Sequence, residues 1–160
     1  MRVNDTQGNT NQDFSAQPAS FFITDWFVGG TRYLGELYVS KYVFNADSSN
    51  LGEQVEDKGA RFSVQMNVKH NKYLSPWYGA GIDLSHARYS RRHRVDEDGY
   101  LSAQYEDISQ FGMNLLINAM ESWTITKELD IGAKLEYRLP LTQTVNGFAA
   151  SVLMIFRPDL

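Results

Sequence analysis

The chain contains no cysteine, which excludes disulfide bridges and thiolate chemistry. It has no run of about 18 apolar residues, so no transmembrane helix is expected. It lacks a basic excess: 15 Lys and Arg face 19 Asp and Glu, for a net charge of −4. With no basic stripe, nucleic-acid binding is excluded. Histidine is scarce, and His70, His86 and His93 stand far apart with no HxH or HExxH spacing. No zinc site and no other cofactor are therefore expected. No G-x-S-x-G, P-loop or G-x-G-x-x-G is present. The first 18 residues, MRVNDTQGNTNQDFSAQP, lack the apolar stretch of a signal peptide. They read as a flexible polar N-terminal segment of a mature protein, followed by one domain over 19–160.

What the chain does have is strict alternation. In LDIGAKLEYRL, Leu129, Ile131, Ala133, Leu135, Tyr137 and Leu139 share one face. Asp130, Gly132, Lys134, Glu136 and Arg138 share the other, which is the period of a β-strand. Phe62, Val64, Met66 and Val68 alternate with Arg61, Ser63, Gln65, Asn67 and Lys69. Tyr78, Ala80, Ile82 and Leu84 alternate with Trp77, Gly79, Gly81, Asp83 and Ser85. Phe111–Ala119 and Gly147–Arg157 repeat the pattern, and Tyr33–Phe44 is a sixth strand carrying Glu36. Phe21–Val28 is open between a first strand, an interfacial helix and a segment continuous with the next strand through Gly29-Gly30. Ser109–Ile125 reads either as one long strand, with a bulge near Met120 to correct the parity of Glu121, or as containing a short helix, for which the apolar spacing is less regular.

Pro18, Pro76, Pro140 and Pro158 fall at strand boundaries, where a missing N–H does least harm. Between strands, Asn45–Gly59 and Arg91–Gly99 read as long charged loops, while Asn71–Pro76 and Lys127–Glu128 read as short turns. Such a rhythm of long and short connections is the habit of outer-membrane barrels. Trp77–Tyr89 spans about 40 Å at 3.3 Å per residue, enough to cross a bilayer at barrel tilt. Aromatic residues mark both its ends, as a membrane interface favours.

Two faces with such different polarity allow two folded arrangements. A membrane barrel places the charges in its lumen and the apolar face in lipid. Glu36, Arg61, Lys69, Lys134, Glu136 and Arg138 would then form a lumen charge network of both signs, with Gly79 and Gly81 making room for long side chains opposite. A soluble, lipocalin-like barrel places Phe62, Val64, Met66, Leu135 and Tyr137 inside around an apolar ligand, with Lys134 and Arg138 in water. Arg88, Arg91, Arg92 and Arg94 are candidate contacts for lipopolysaccharide phosphates. The plainer account is a solvated hairpin tip whose basic half pairs with Asp96, Glu97 and Asp98. No catalytic residue is expected: Ser85 and His86 point to opposite faces, and His86 and Ser90 lie about 13 Å apart along a strand.

The segment YLSPWYGAGIDLS (Tyr73–Ser85) resembles the strand after a periplasmic turn in small outer-membrane barrels of the OmpA, OmpX and OmpW type. WTITKELDIGAKLEYRLP (Trp123–Pro140) resembles a later hairpin of such barrels, and FAASVLMIF (Phe148–Phe156) their C-terminal strand. Here Arg157-Pro158-Asp159-Leu160 follow the terminal aromatic. The resemblance implies an all-β, antiparallel, up-and-down transmembrane barrel of about eight strands, six of which read clearly. It implies a Gram-negative outer-membrane location, with lipid, lipopolysaccharide, other envelope proteins or further copies as partners. The expected role is structural, adhesive or in envelope assembly, not that of an open pore. A soluble apolar-ligand binder and an outer-membrane lipid-modifying hydrolase are the alternatives.

Overall fold

The computed structural model describes residues 2–4, 10–12, 19–68, 75–142 and 145–156. The strands are β1 (Arg2–Asn4), β2 (Thr10–Gln12), β3 (Ala19–Val28), β4 (Thr31–Phe44) and β5 (Gly52–Asn67). They continue with β6 (Trp77–Val95), β7 (Leu101–Gln104), β8 (Ile108–Thr124), β9 (Leu129–Pro140) and β10 (Val145–Phe156). No helix occurs among the described residues. From Ala19 onward the chain is an all-β, antiparallel sheet of eight strands in up-and-down order. β7 and β8 share β6 as partner, at His93–Val95 and Trp77–Tyr89, and act as two parts of one strand. β1 and β2 form a hairpin added to the start of β10.

Alternation of side chains sets which face turns inward. On β9, Lys134, Glu136 and Arg138 are buried while Leu135, Tyr137 and Leu139 are exposed. The same parity holds along β4, β5, β6 and β8, so one face of the sheet is enclosed, with the charges at its middle and apolar residues to either side. The sheet rolls until this face meets itself. Lys134 on β9 contacts the Glu36 carboxylate on β4, although β8, β6 and β5 lie between them in the sheet. Leu34 on β4 clusters with Met120 on β8 and with Leu153 and Ile155 on β10. Among the described residues no backbone pairing joins β3 to β10, so the roll is not closed.

Glycine permits both the tight turn and the tight roll. Gly29 and Gly30 have φ of 57° and 82° between paired Val28 and Thr31. Two positive-φ residues make the hairpin turn whose twist matches the strands. Gly59, Gly79 and Gly81 face inward on β5 and β6. A Cβ on Gly81 would collide with the Phe62 carbonyl oxygen, and one on Gly59 with the Leu84 carbonyl oxygen. These positions admit the neighbouring backbone at a point of strong curvature. At Gly79 the Gln65 and Asn118 side chains lie in the space a Cβ would take, as expected, besides the Val64 carbonyl oxygen; at Gly81 the expectation is corrected, because the nearest atom is the Phe62 carbonyl oxygen.

The strands also exceed their expected limits. β5 begins at Gly52, inside the stretch read as a loop, and β6 continues to Val95 through Arg91–Arg94. In both stretches charged and polar residues fall on either face, so hydropathy carries no period there, yet cross-strand pairing persists. The long-loop rhythm thus becomes a projection of β6 and β7 beyond the sheet's end. No bulge interrupts β8 near Met120, because its register with β6 and β9 is unbroken. Glu121 keeps its outward parity at the strand end, where its carboxylate accepts the Ser75 N–H at 2.9 Å. Phe21–Val28 lies wholly within a strand. The link 71–76 lies partly outside the described residues.

The curvature predicts that Gly81→Ala destabilises the fold by about 1–3 kcal/mol, the usual cost of overpacking. Gly99→Ala, at an exposed turn with nothing nearby, meets only its φ of 85° as an obstacle. Urea unfolding followed by tryptophan fluorescence measures both; similar midpoints for Gly81→Ala and the parent would contradict the packing account.

Candidate functional site

The register brings the interior charges together. Glu36, Arg61, Asp83 and Asn114 sit directly opposite one another on β4, β5, β6 and β8. From β9, across the interior, come Lys134, Glu136 and Arg138. Lys134 bridges Glu36 and Glu136, the latter at 3.0 Å. Arg61 lies 3.3 Å from Glu136, 3.6 Å from Asp83 and 3.7 Å from Glu36. Arg138 reaches Asp57 at 3.0 Å, Glu136 at 3.3 Å and Asp83 at 3.7 Å. None of these side chains is more than 3% exposed. The Tyr38 ring lies between two of the cations, 3.7 Å from the Arg61 guanidinium and 5.3 Å from that of Arg138. Asn114 donates to Asp83 at 2.9 Å, and Gln65 donates to Asn118 at 2.7 Å.

An isolated charge in such a place would not stay ionised, since its desolvation costs several kcal/mol. Here each cation has at least two carboxylate neighbours, and the set of three cations and four carboxylates nearly balances. Ser63 Oγ and Ser85 Oγ have no protein hydrogen-bond partner among the described residues. Buried hydroxyls of this kind suit ordered water.

Apolar layers flank the charges. Toward the end that carries the 45–51 and 96–100 connections, Tyr42, Phe44, Val55, Ala87, Tyr89 and Val145 pack together. Beyond them Arg92 turns inward and pairs with Glu53 at 3.4 Å. Toward the opposite end lie Leu34, Met120, Leu153 and Ile155. Arg32 then pairs with Asp25 at 2.8 Å beneath the Phe27 and Trp77 rings, whose centroids are 5.5 Å apart. Among the described residues, side chains thus meet across the interior at each of these levels.

The outside is the reverse. Phe62, Val64, Met66, Ile82, Leu84, Leu115, Ile117, Leu135 and Tyr137 are all exposed, although flanked by strands on both sides. On β8 the outward apolar positions run from Phe111 to Ala119, about 26 Å along the strand, with Glu121 outward beyond them. Near one end of this belt Trp26, Tyr33 and Phe62 stack as a group, with centroids 5.7–6.3 Å apart. This orientation is opposite to the one that a water-soluble, lipocalin-like barrel requires.

Of the six expected network residues, five meet, namely Glu36, Arg61, Lys134, Glu136 and Arg138; Lys69 lies outside the described residues. Asp57 and Asp83 complete the set. Asp83 already shared the inward face by parity, but Asp57 fell in a stretch read as a loop. The four arginines proposed for lipopolysaccharide separate. Arg88 is exposed and pairs with Asp107 at 3.4 Å. Arg91 is exposed, with φ of 55°. Arg94 is half-buried, and Arg92 is enclosed with Glu53. Arg88 and Arg91 share an open polar cleft with Glu56 and Asp107, so the cleft's charges balance. The acidic half of the turn acts on backbone, Asp96 accepting the N–H groups of Asp98 and Tyr100 at 3.1 and 2.8 Å. In the 45–51 connection Asp47 accepts from the Asn50 side chain and from the Ser49 and Asn50 N–H groups. These bonds, the Asn50 side chain foremost, hold its carboxyl below the usual carboxylate range. Their contribution is present above the ordinary carboxylate pKa and is lost as pH falls through the lowered one.

The structure does not assemble a hydrolase site from Ser85, His86 and Ser90. Ser85 is inward, the His86 ring packs outside on Phe111 at 4.7 Å, and Ser90 Oγ donates to the Gln54 carbonyl at 3.3 Å. No family model, curated protein or solved structure matches the chain.

The network predicts that Lys134→Met, which leaves Glu36 facing Glu136 with less compensation, destabilises the fold by about 3–5 kcal/mol. Lys41→Ala, which removes an exposed pair with Glu56 at 3.8 Å, changes stability by about 1 kcal/mol or less. Denaturant midpoints of the two variants test the contrast; equal effects would mean that the interior charges are hydrated like surface ones.

Proposed function

We propose that this chain is an integral β-barrel protein of a bacterial outer membrane, with its apolar exterior in lipid and its charges in a packed lumen. The observation that carries the reading is the inverted polarity: Lys134, Glu136 and Arg138 are enclosed while Leu135 and Tyr137 lie outside. In water that exterior would be expensive. A half-exposed Leu or Phe forfeits about 1–2 kcal/mol at roughly 25 cal/mol per Å². Summed over the belt, this exceeds the net stability of about 5–15 kcal/mol typical of a folded domain. In hydrocarbon the same surface costs nothing, and the enclosed charges avoid lipid. Strand lengths and the aromatic cluster of Trp26, Tyr33 and Phe62 suit a bilayer and its interface.

The side chains that meet across the interior favour a structural, adhesive or envelope-assembly role over an open pore, because a barrel of about eight strands has a lumen just wide enough for side chains. The small outer-membrane barrels that the sequence resembles are the family proposed. Lipid and lipopolysaccharide are the proposed partners, with Arg88 and Arg91 at the projecting β6–β7 end as the phosphate contacts.

Refolding with and without detergent micelles tests the membrane reading. We expect far-UV β signal and a boiled-versus-unboiled gel shift only with detergent; a folded monomer in plain buffer would overturn it. Within micelles or bilayers, Leu135→Arg should cost about 2–4 kcal/mol, the midplane cost of a cation on a barrel's lipid face. Equilibrium unfolding from vesicles reads that loss, and no change would place Leu135 in water.

A further inference from the structure

The outward cations of the sheet gather in one sector, at one end of the apolar belt. Register sets the rows there. Leu37, Ala60, Leu84 and Met113 form one outward row across β4, β5, β6 and β8. The next row toward the 45–51 connection is Val39, Lys58, His86 and Phe111, and the one after it is Lys41, Glu56, Arg88 and Ser109. On β5 the belt therefore ends at Lys58. Among the described residues, β3, β8, β9 and β10 carry no outward Lys or Arg.

Three cations surround one carboxylate. Cross-strand neighbours sit about 5 Å apart, and successive outward positions on one strand about 7 Å. Lys41 and Arg88 thus flank Glu56 in its own row, and Lys58 lies one row nearer the belt. Lys41 lies 3.8 Å from Glu56, and Arg88 lies 3.4 Å from Asp107. Lys58 is exposed and makes no ion pair among the described residues. Beside it, His86 Nδ1 is buried with no hydrogen-bond partner among the described residues. The cleft beyond balances Arg88 and Arg91 against Glu56 and Asp107, so Lys41 and Lys58 are the excess.

We propose that the outer face of β4–β6 at Lys58 binds one lipid with an anionic phosphate headgroup. Lys58 holds the phosphate, with Lys41 and Arg88 to either side of it. The acyl chains lie along Leu37, Leu84 and Phe62, which are 57%, 52% and 41% exposed. A lysine stem can cover apolar surface while its ammonium reaches the headgroup level. Glu56 occupies the middle of the upper row and repels a phosphate from it, which keeps the phosphate on the belt side, at Lys58. A cation excess set in register with an apolar belt selects a lipid over a free anion, since only a lipid meets both. The proposal rests on the membrane reading and deepens it, because it names one sector and one class of lipid.

Phe111, 83% exposed and next to His86, is a place for a reporter. Full-length protein carrying Phe111→Trp, with Trp26, Trp77 and Trp123 changed to Phe, is folded into phosphatidylcholine vesicles. Acyl-brominated phosphatidic acid or acyl-brominated phosphatidylcholine is included as a minor component, and quenching gives their relative affinities at that spot. The proposal expects phosphatidic acid to be preferred. Lys58→Gln should cut the preference about fivefold, the usual contribution of one cation beside an anionic surface. Glu56→Gln should raise it by a similar factor. With Val152→Trp on β10 as the reporter in place of Phe111→Trp, no preference is expected. An equal preference at both reporters, its survival in Lys58→Gln, or its reversal by inorganic phosphate at constant ionic strength would overturn the proposal. Equal quenching by the two lipids overturns it and leaves the membrane reading standing; no quenching by either overturns both.

Discussion

Burial of Arg61, Lys134 and Arg138 among Glu36, Asp57, Asp83 and Glu136 is the constraint on which the rest of the structure depends. Carboxylates from β4, β5, β6 and β9 must converge to make three enclosed cations tolerable, and only a rolled sheet brings those strands together. The period of two then leaves no choice for the other face. Each residue next to an inward charge points outward, and in this chain those residues include Leu135, Tyr137, Phe62 and Ile82. Interior electrostatics and exterior hydrophobicity are thus one fact seen from two sides.

The charges alone would not shape the roll. Gly59, Gly79 and Gly81 let β5 and β6 approach where a Cβ would strike backbone, and the curvature there carries Glu36 toward Lys134. Apolar clusters above and below the network exclude solvent from its ends, with Arg92–Glu53 and Arg32–Asp25 as outer pairs. The layered interior sets apolar clusters to either side of a buried charge network. It demands that nearly every inward polar group find a partner, which ties each strand's register to those of strands far away in sequence.

Much of this was legible in the sequence, for a physical reason. Lys134, Glu136 and Arg138 alternate with apolar residues, so their common face followed from strand geometry alone, as did those of Glu36 and Arg61. What was not legible lay where alternation fades. Asp57 and Arg92 stand in stretches with polar residues on both faces, and only cross-strand pairing reveals them as strand. The inward turn of Arg92 removed it from an arginine run that looked uniform in one dimension. Glu121 seemed to need a bulge because the outward face was assumed to stay apolar to the strand's end; parity holds, and near the belt's edge the outward carboxylate meets the Ser75 N–H. The odd number of long strands was also hidden, since it depends on β7 and β8 sharing one partner.

The central claim is that the outward face meets hydrocarbon. A protein whose only tryptophan is introduced by Leu135→Trp, with Trp26, Trp77 and Trp123 changed to Phe, tests it most directly in vesicles containing acyl-brominated lipid. The account predicts strong quenching by the brominated chains and weak quenching by aqueous iodide. Strong iodide quenching with no response to the brominated lipid would contradict it.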